Sequence, residues 1–129
     1  MNKTLLLTIT ALFCYIVLRP GADSDAAPEF NHGTFQTAIS SGKPVVVDFR
    51  AKWYRGSNQL APTIDQLAQE SDEIYLVGQL DVERHKDLIR EYKVRKYPTV
   101  LIFKDGKVVD ELDYSLSVRE MQNQIFQYL

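Results

Sequence analysis

Short apolar runs rich in β-branched residues alternate along this chain with longer segments in which apolar residues recur every three or four positions. The runs around Val45–Val47, from Ile74 to Leu80 and from Val100 to Phe103 have the length and composition of buried strands. The Asp105-Gly106 pair predicts a hairpin turn, with a return strand from Val108 to Asp113. Strands that alternate with helices predict an α/β domain, with its site at the carboxyl end of a strand.

Capping residues and helical periodicity predict four helices. Asn31 precedes a helix from about His32 to Ser41, and a second helix runs from about Asn58 to Glu70. Asp81 is predicted to cap a short third helix, and a capping box at Ser117–Glu120 opens the last. The residues with inward spacing are Phe35, Ala38 and Ile39, then Leu60, Ile64 and Leu67, then Leu88, Ile89 and Tyr92, and finally Met121, Ile125 and Leu129.

The first 26 residues differ in pattern from the remainder. Lys3 precedes an uncharged run from Thr4 to Leu18, and Arg19 and small residues follow. A helix of that length spans about 22 Å, less than a hydrocarbon core of roughly 30 Å. The layout predicts a secretory signal peptide over residues 1–26 and an exported domain over residues 27–129. Because Arg19 directly follows the run, the alternative is an uncleaved anchor that contacts the membrane only through residues 4–18.

Composition narrows the chemistry that this chain is expected to perform. Its 129 residues, 45% of them hydrophobic, suit one globular domain, and a net charge of −2 gives no electrostatic basis for binding nucleic acid. Cys14 is the only cysteine and lies in the apolar run. Residues 27–129 therefore have no thiolate chemistry, disulfide or sulfur-bound metal.

Two motifs resemble the thioredoxin superfamily. The first reads Val47-Asp48-Phe49, then Ala51 and Trp53, as in the family pattern V-D-F-x-A-x-W-C-x-x-C, and Pro62 matches a proline of the family's next helix. The second is Tyr97-Pro98-Thr99, where the family has a hydrophobic residue, a proline and a threonine at the start of a strand. The resemblance implies a thioredoxin-like fold, a central mixed β-sheet flanked by helices. It also implies a helix kinked at its proline and a cis peptide bond before the proline of the second motif.

The two cysteines that carry the family's chemistry are missing. Tyr54 stands where the nucleophilic cysteine belongs, and Ser57 stands where the resolving cysteine belongs. Thiol–disulfide exchange needs a thiolate, which neither a phenol nor an unactivated hydroxyl replaces. Asp48 matches a buried aspartate that takes a proton from the resolving cysteine in the family. Without that partner, we expect a carboxyl hydrogen-bonded to water or a hydroxyl, with a pKa raised by burial.

The family's substrate groove maps onto three loops of this chain, Trp53–Ser57, Lys96–Pro98 and Tyr114-Ser115, each of which contains a tyrosine. Aromatic rings with arginines nearby are enriched at protein interfaces. We therefore hypothesise that the groove binds an extended peptide or an anionic group without chemistry. The predicted binding residues are Trp53, Tyr54, Arg55, Lys96, Tyr97, Pro98 and Tyr114, and the basic residues beside them are Arg50, Lys52 and Arg95.

Other interpretations of the same residues stay open. In the first alternative, the aromatic residues merely fill space left by a lost function. A thiol-independent chaperone or holdase would use the groove for broad rather than specific clients, and an oxidoreductase with replaced cysteines would explain the retained frame. No catalytic site, metal or cofactor is expected. His32 is predicted to be solvated, and Asp81, Glu83 and His85 alternate on a loop without a second group of ligands.

Overall fold

The computed structural model of the chain describes residues 26–129. The predicted export segment, apart from its last residue, and Cys14 lie outside the described residues. Within that range, no helix combines the length and the apolar character needed to cross a membrane. The elements in chain order are α1 (His32–Ile39), β1 (Val45–Arg50), α2 (Arg55–Gln69), β2 (Leu76–Asp81), α3 (Lys86–Glu91), β3 (Thr99–Lys104), β4 (Lys107–Glu111) and α4 (Val118–Phe126).

The described strands form one mixed sheet in the order β2-β1-β3-β4. Strand β1 runs parallel to β2, with Val45 opposite Leu76, and antiparallel to β3, with Phe49 opposite Thr99. Strands β3 and β4 form an antiparallel hairpin. The carboxyl end of β1 therefore lies beside the start of β3, and this end of the sheet carries both sequence motifs. The predicted fold class, a central mixed sheet flanked by helices, is confirmed.

Apolar side chains fill both faces of the sheet. Alternate residues of a strand point to opposite faces, so Val45 and Val47 pack with Phe35 of α1, whereas Val46 packs with Ile64 of α2. Helices α1 and α3 thus cover one face, and α2 and α4 cover the other. A strand buried on both faces explains the unbroken apolar run that begins β1. The same alternation places Asp48 on the face that α2 and α4 cover.

The predicted caps of the first and last helices are confirmed. The Asn31 side chain accepts a hydrogen bond from the Thr34 N–H at 2.9 Å, at the start of α1. Ser117 Oγ accepts from the Glu120 N–H at 3.3 Å, and the Glu120 carboxylate accepts from the Ser117 N–H at 2.9 Å. These bonds satisfy helix N–H groups that have no partner within the helix.

Two other predictions about helix ends are wrong. Asp81 is the last residue of β2 and accepts a hydrogen bond from the Glu83 N–H at 3.0 Å, so it closes a turn instead of capping α3, which begins after His85. Leu129, predicted to point inward, is exposed because α4 ends at Phe126. Both predictions extend a local sequence pattern past the residue at which the chain changes direction.

The segment before α1 lies along the outer edge of β2. Glu29 forms an isolated parallel bridge with Gln79, and the Phe30 N–H donates to the Gln79 carbonyl at 2.8 Å. The Phe30 ring covers Gly78, where a Cβ atom would lie only 2.2 Å from Phe30 Cε2. A residue without a side chain is therefore required at position 78 for Phe30 to reach the core.

Gly78→Ala is expected to lower the free energy of unfolding by about 1–3 kcal/mol, because overpacking a dense core forces its neighbours to shift. Chemical denaturation would measure the loss. Gly33→Ala is the matched control, since a Cβ there meets nothing closer than 3.4 Å and alanine favours a helix over glycine by up to about 1 kcal/mol. Equal stability of Gly78→Ala and the parent chain would contradict the packing of Phe30 on Gly78.

Candidate functional site

An exposed aromatic cluster, made by Trp53, Tyr54 and Tyr97, lies where the loop after β1 meets the loop before β3. Trp53 is 66% exposed. Its ring centroid lies 6.0 Å from that of Tyr54 and 6.3 Å from that of Tyr97, with interplanar angles of 73° and 86°. Edge-to-face pairs at these separations attract each other. The three rings therefore support one another, and Trp53 remains largely exposed to solvent.

The Tyr54 ring packs back over the start of α2. Tyr54 immediately precedes this helix, which begins at Arg55 and therefore earlier than the predicted start at Asn58. A Cβ atom on Gly56 would lie 2.6 Å from Tyr54 Cε1 and 3.4 Å from Pro98 Cδ. Gly56 thus leaves the space that the tyrosine ring occupies. Pro98 is buried, and the peptide bond that precedes it is cis.

Ser57, at the position of the resolving cysteine, is fully buried in the first turn of α2. Its Oγ accepts a hydrogen bond from the Ala51 N–H at 3.3 Å, and the Tyr54 N–H donates to the Ala51 carbonyl at 3.0 Å. These bonds tie the loop to the end of β1. Ser57 therefore supplies a structural hydroxyl, whereas Tyr54, at the nucleophile's position, is 42% exposed.

Asp48 is fully buried behind this loop and is paired with Arg50. The Arg50 Nη2 and Nε atoms donate to Asp48 Oδ2 at 3.0 and 3.2 Å, while Oδ1 has no hydrogen-bond partner among the described residues. Burial raises the pKa of Asp48 to about 6, and the Arg50 charge opposes that rise. The direction agrees with the sequence prediction. The hydrogen-bond partner of Asp48 differs from the prediction, because Arg50 takes the place of the expected water or hydroxyl.

The basic residues assigned to the groove from sequence are mostly directed elsewhere. Arg50 turns inward to Asp48, and Lys52 Nζ lies 3.7 Å from Asp81 Oδ2. Lys96 and Arg95 line a separate cavity of about 240 Å³. Arg55 is exposed and has no ion pair among the described residues, so it keeps a free positive charge next to Tyr54.

Tyr114 is also separate from the aromatic cluster. Its side chain is 40% exposed, nearly as much as that of Tyr54. Within residues 26–129, it makes no ring contact with Trp53, Tyr54 or Tyr97. The structure thus brings together Trp53, Tyr54, Tyr97 and Pro98, without a ring contact from Tyr114.

A groove that the sequence analysis missed adjoins the aromatic cluster. It has a volume of about 510 Å³, and Trp53 and Tyr97 form one side of it. The other side comes from the turn after β2 and from α3, and its residues are Val82, Glu83, Lys86 and Ile89. Ile89 has the inward spacing of a core residue, yet it is only partly buried. The position of Ile89 on a short, charged helix was the only feature of the sequence that indicated this groove.

His32 is exposed, as the sequence predicts, but it also contacts Asp87 and His85. His32 Nε2 lies 2.5 Å from Asp87 Oδ2, and the centroids of the His32 and His85 rings are 5.8 Å apart. A metal site was excluded from the sequence because His85 had no second group of ligands. That premise is wrong, since the packing of α1 beside α3 supplies His32.

A mixed sheet covered on both faces, a strand, tryptophan-containing loop and helix in succession, and a cis-proline loop beside them define a thioredoxin-like domain. The thioredoxin family model matches residues 27–127. The chain therefore belongs to the thioredoxin family. It does so without a cysteine at either of the two positions where that family carries its redox pair.

Individual relatives agree with this assignment. The chain is 40% identical over 79 residues to a thioredoxin of Chlorobaculum thiosulfatiphilum, covering 60% of this chain and 73% of the relative. It is 33% identical over 92 residues to a thioredoxin of Mycobacterium bovis, covering 70% and 79%. A solved structure of a thioredoxin variant from Halobacterium salinarum superimposes with a TM-score of 0.68 at 26% identity, covering 81% of this chain and 91% of that one.

Proposed function

We propose that this chain is an exported, redox-inactive member of the thioredoxin family that binds an extended segment of a partner protein across the aromatic cluster and the adjoining groove. The observation that carries the proposal is the exposed Trp53, held edge-on between Tyr54 and Tyr97 at the former redox site. Tryptophan and tyrosine are the side chains that most often dominate binding energy at interfaces.

The absence of thiol chemistry follows from the two replaced positions. Tyr54 and Ser57 provide no thiolate, and residues 26–129 contain no cysteine that could supply one from elsewhere. Ser57 is also unsuited to nucleophilic catalysis, because its Oγ is buried and engaged by the Ala51 N–H. A hydroxyl nucleophile requires an adjacent base and access to substrate.

The shape and charge of the site favour an extended peptide. The groove has Trp53 and Tyr97 on one side, and the apolar Val82 and Ile89 are accompanied by Glu83 and Lys86 on its other walls. An extended chain can place alternate side chains into such a groove. Arg55, beside Tyr54, adds a cation that suits a carboxylate on the partner.

Export is proposed from the sequence of the first 26 residues. In an oxidising compartment, residues 27–129 would form no disulfide, because that segment has no cysteine. A specific partner is proposed in preference to broad clients because the cluster is preformed by ring contacts.

Trp53→Ala is expected to weaken capture of the partner from the native exported fraction at least tenfold, because truncating a central aromatic anchor typically costs 2 kcal/mol or more. The measurement is a pull-down with the full chain, followed by calorimetry with the identified partner. The triple variant Tyr54→Ala, Arg55→Ala, Tyr97→Ala is expected to abolish capture, with circular dichroism to show that it is folded.

Tyr114→Ala is the matched control, because Tyr114 is as exposed as Tyr54 but lies outside the cluster. It is expected to bind like the parent chain. Capture of the same protein by all variants would overturn the proposal that the former redox face is the binding site. Loss of a broad and varied set of proteins would support the holdase alternative instead of a specific partner.

A further inference from the structure

A second site is formed where the start of α1 approaches the start of α3. His32 is the first residue of α1, His85 directly precedes α3, and Asp87 is the second residue of α3. Each of these three side chains offers one ligand atom, and the three atoms lie within 4.8 Å of one another. We propose that this histidine cluster, defined as His32, His85 and Asp87, binds a divalent transition metal ion, with Zn²⁺ as the best match.

The donor set is the first argument for a metal. Two imidazole nitrogens and one carboxylate oxygen are common protein ligands of Zn²⁺. Such a mixture suits Zn²⁺ better than Ca²⁺ or Mg²⁺, which prefer oxygen atoms. Three protein ligands leave the fourth position of a tetrahedral site for water or another ligand.

The state of His85 is the second argument. Its Nδ1 atom is shielded from solvent and has no hydrogen-bond partner among the described residues. A buried ring nitrogen without a partner is unfavourable in a folded protein. The His32–Asp87 contact can be explained as an exposed ion pair, but that pair does not account for His85. A metal bound at the cluster would take the His85 ring as a ligand, whereas the ion pair does not involve that ring.

The side chains have room to reach coordination geometry. Ligand atoms around tetrahedral Zn²⁺ are about 3.3 Å apart, given metal–ligand bonds of about 2.0–2.2 Å. His32 Nε2 and Asp87 Oδ2 are 2.5 Å apart, so they must separate slightly, while more distant pairs in the cluster close in from at most 4.8 Å. The His32 and Asp87 side chains are each 55% exposed, which leaves them free to make this adjustment.

The local charge is compatible with a cation. Two helix starts meet here, and their partial positive charges oppose a metal ion. The negative charge of the Asp87 carboxylate, one of the three ligands, offsets them. Arg84 lies 3.7 Å from Asp81, and neither it nor the exposed Lys86 forms an ion pair with Asp87 among the described residues.

Calorimetric titration of the chelator-treated full chain with Zn²⁺ alone tests the site. We expect one Zn²⁺ per chain, a loss of affinity of at least tenfold in His32→Ala and in Asp87→Asn, and no measurable binding in a His32→Ala, His85→Ala double variant. His32→Ala and Asp87→Asn change exposed side chains, so the test does not depend on the folding of a His85 variant. Cys14→Ser, which removes the chain's one thiol, and Glu83→Gln, which removes a carboxylate two residues from His85, are the matched controls, and both are expected to bind like the parent chain.

Nuclear magnetic resonance of the imidazole nitrogens separates a true site from nonspecific binding. One equivalent of Zn²⁺ is expected to shift the ring signals of both His32 and His85. Unchanged histidine signals, binding that depends on Cys14, or equal affinity in His32→Ala and the parent chain would each overturn the proposal. The test is independent of partner binding, because none of the three ligands lines the groove beside the aromatic cluster.

Discussion

Asp48→Asn is expected to stabilise the protein at pH 8 by up to about 3 kcal/mol and to leave its stability nearly unchanged at pH 4. Burial raises the pKa of Asp48 from 3.8 to about 6 in the folded chain, and one pKa unit corresponds to about 1.4 kcal/mol. Asparagine resembles the protonated acid that the buried site prefers. Its carboxamide oxygen also provides an acceptor for Arg50 in place of the carboxylate oxygen.

The sign of the pH dependence follows from proton binding. Because the folded pKa is raised, the folded state binds more protons than the unfolded state between about pH 4 and pH 6. The contribution of Asp48 to the free energy of unfolding is fully present below about pH 4 and is lost as the pH rises through about 6. Urea denaturation of both chains at half-unit intervals from pH 4 to pH 8 would isolate this contribution as the difference between the two curves.

Asp110→Asn is a control with the opposite sign. Hydrogen bonds from Gln124 and Tyr128 lower the pKa of Asp110, so its contribution is present above the unfolded pKa and is lost as the pH falls. We expect Asp110→Asn to destabilise the protein at pH 7. If the difference between the parent chain and Asp48→Asn stayed constant from pH 4 to pH 8, a raised pKa for the buried acid would be excluded.

Tyr54→Cys combined with Ser57→Cys is expected to give the chain disulfide reductase activity, which we propose that the parent chain lacks. Residue 54 directly precedes α2, and residue 57 lies in the first turn of that helix. A thiol at such a helix start has a lowered pKa. A thiol with a pKa near 7 is about half ionised at pH 7, against roughly 3% for a free cysteine, so at least a tenfold rise in exchange over background is expected.

The turbidity of reduced insulin with dithiothreitol would measure this activity, with Cys14→Ser in every chain to remove the remaining thiol. Ser57→Cys alone is the matched control and is expected to stay near background, because position 57 is buried. Activity of the parent chain itself would refute the proposal of a redox-inactive domain. A folded but inactive double variant would instead show that the loop around Arg55 and Gly56 has departed from a redox-competent geometry.

Much of the aromatic cluster followed from the sequence. The match to the family pattern located Tyr54 and Ser57 at the former redox positions and placed Trp53 and Tyr97 on adjoining loops. The positions could be located because each motif lies within one short segment. The loops adjoin because β1 pairs with β3 in the thioredoxin fold. The position of Tyr114 was not predictable in this way, since the turn that carries it has no motif that determines its direction.

The partner of Asp48 was within reach of sequence reasoning but was missed. Residues two apart on a strand share one face, so Asp48 and Arg50 were placed together by their spacing alone. The assignment of Arg50 to the basic residues beside the groove concealed this relation. The structure shows that β1 includes Arg50 and that its guanidinium turns back to the buried carboxyl.

The sequence by itself determined the fold, the loss of both redox cysteines and the presence of aromatic residues at the former site, because these depend on local periodicity and on motifs within single segments. Only the tertiary structure decided that α3 forms the far wall of the groove and that His32 meets Asp87 across 55 residues of chain. Such contacts arise from the packing of helices on the sheet. Apolar periodicity specifies which face of a helix is buried, but not which exposed side chains become neighbours.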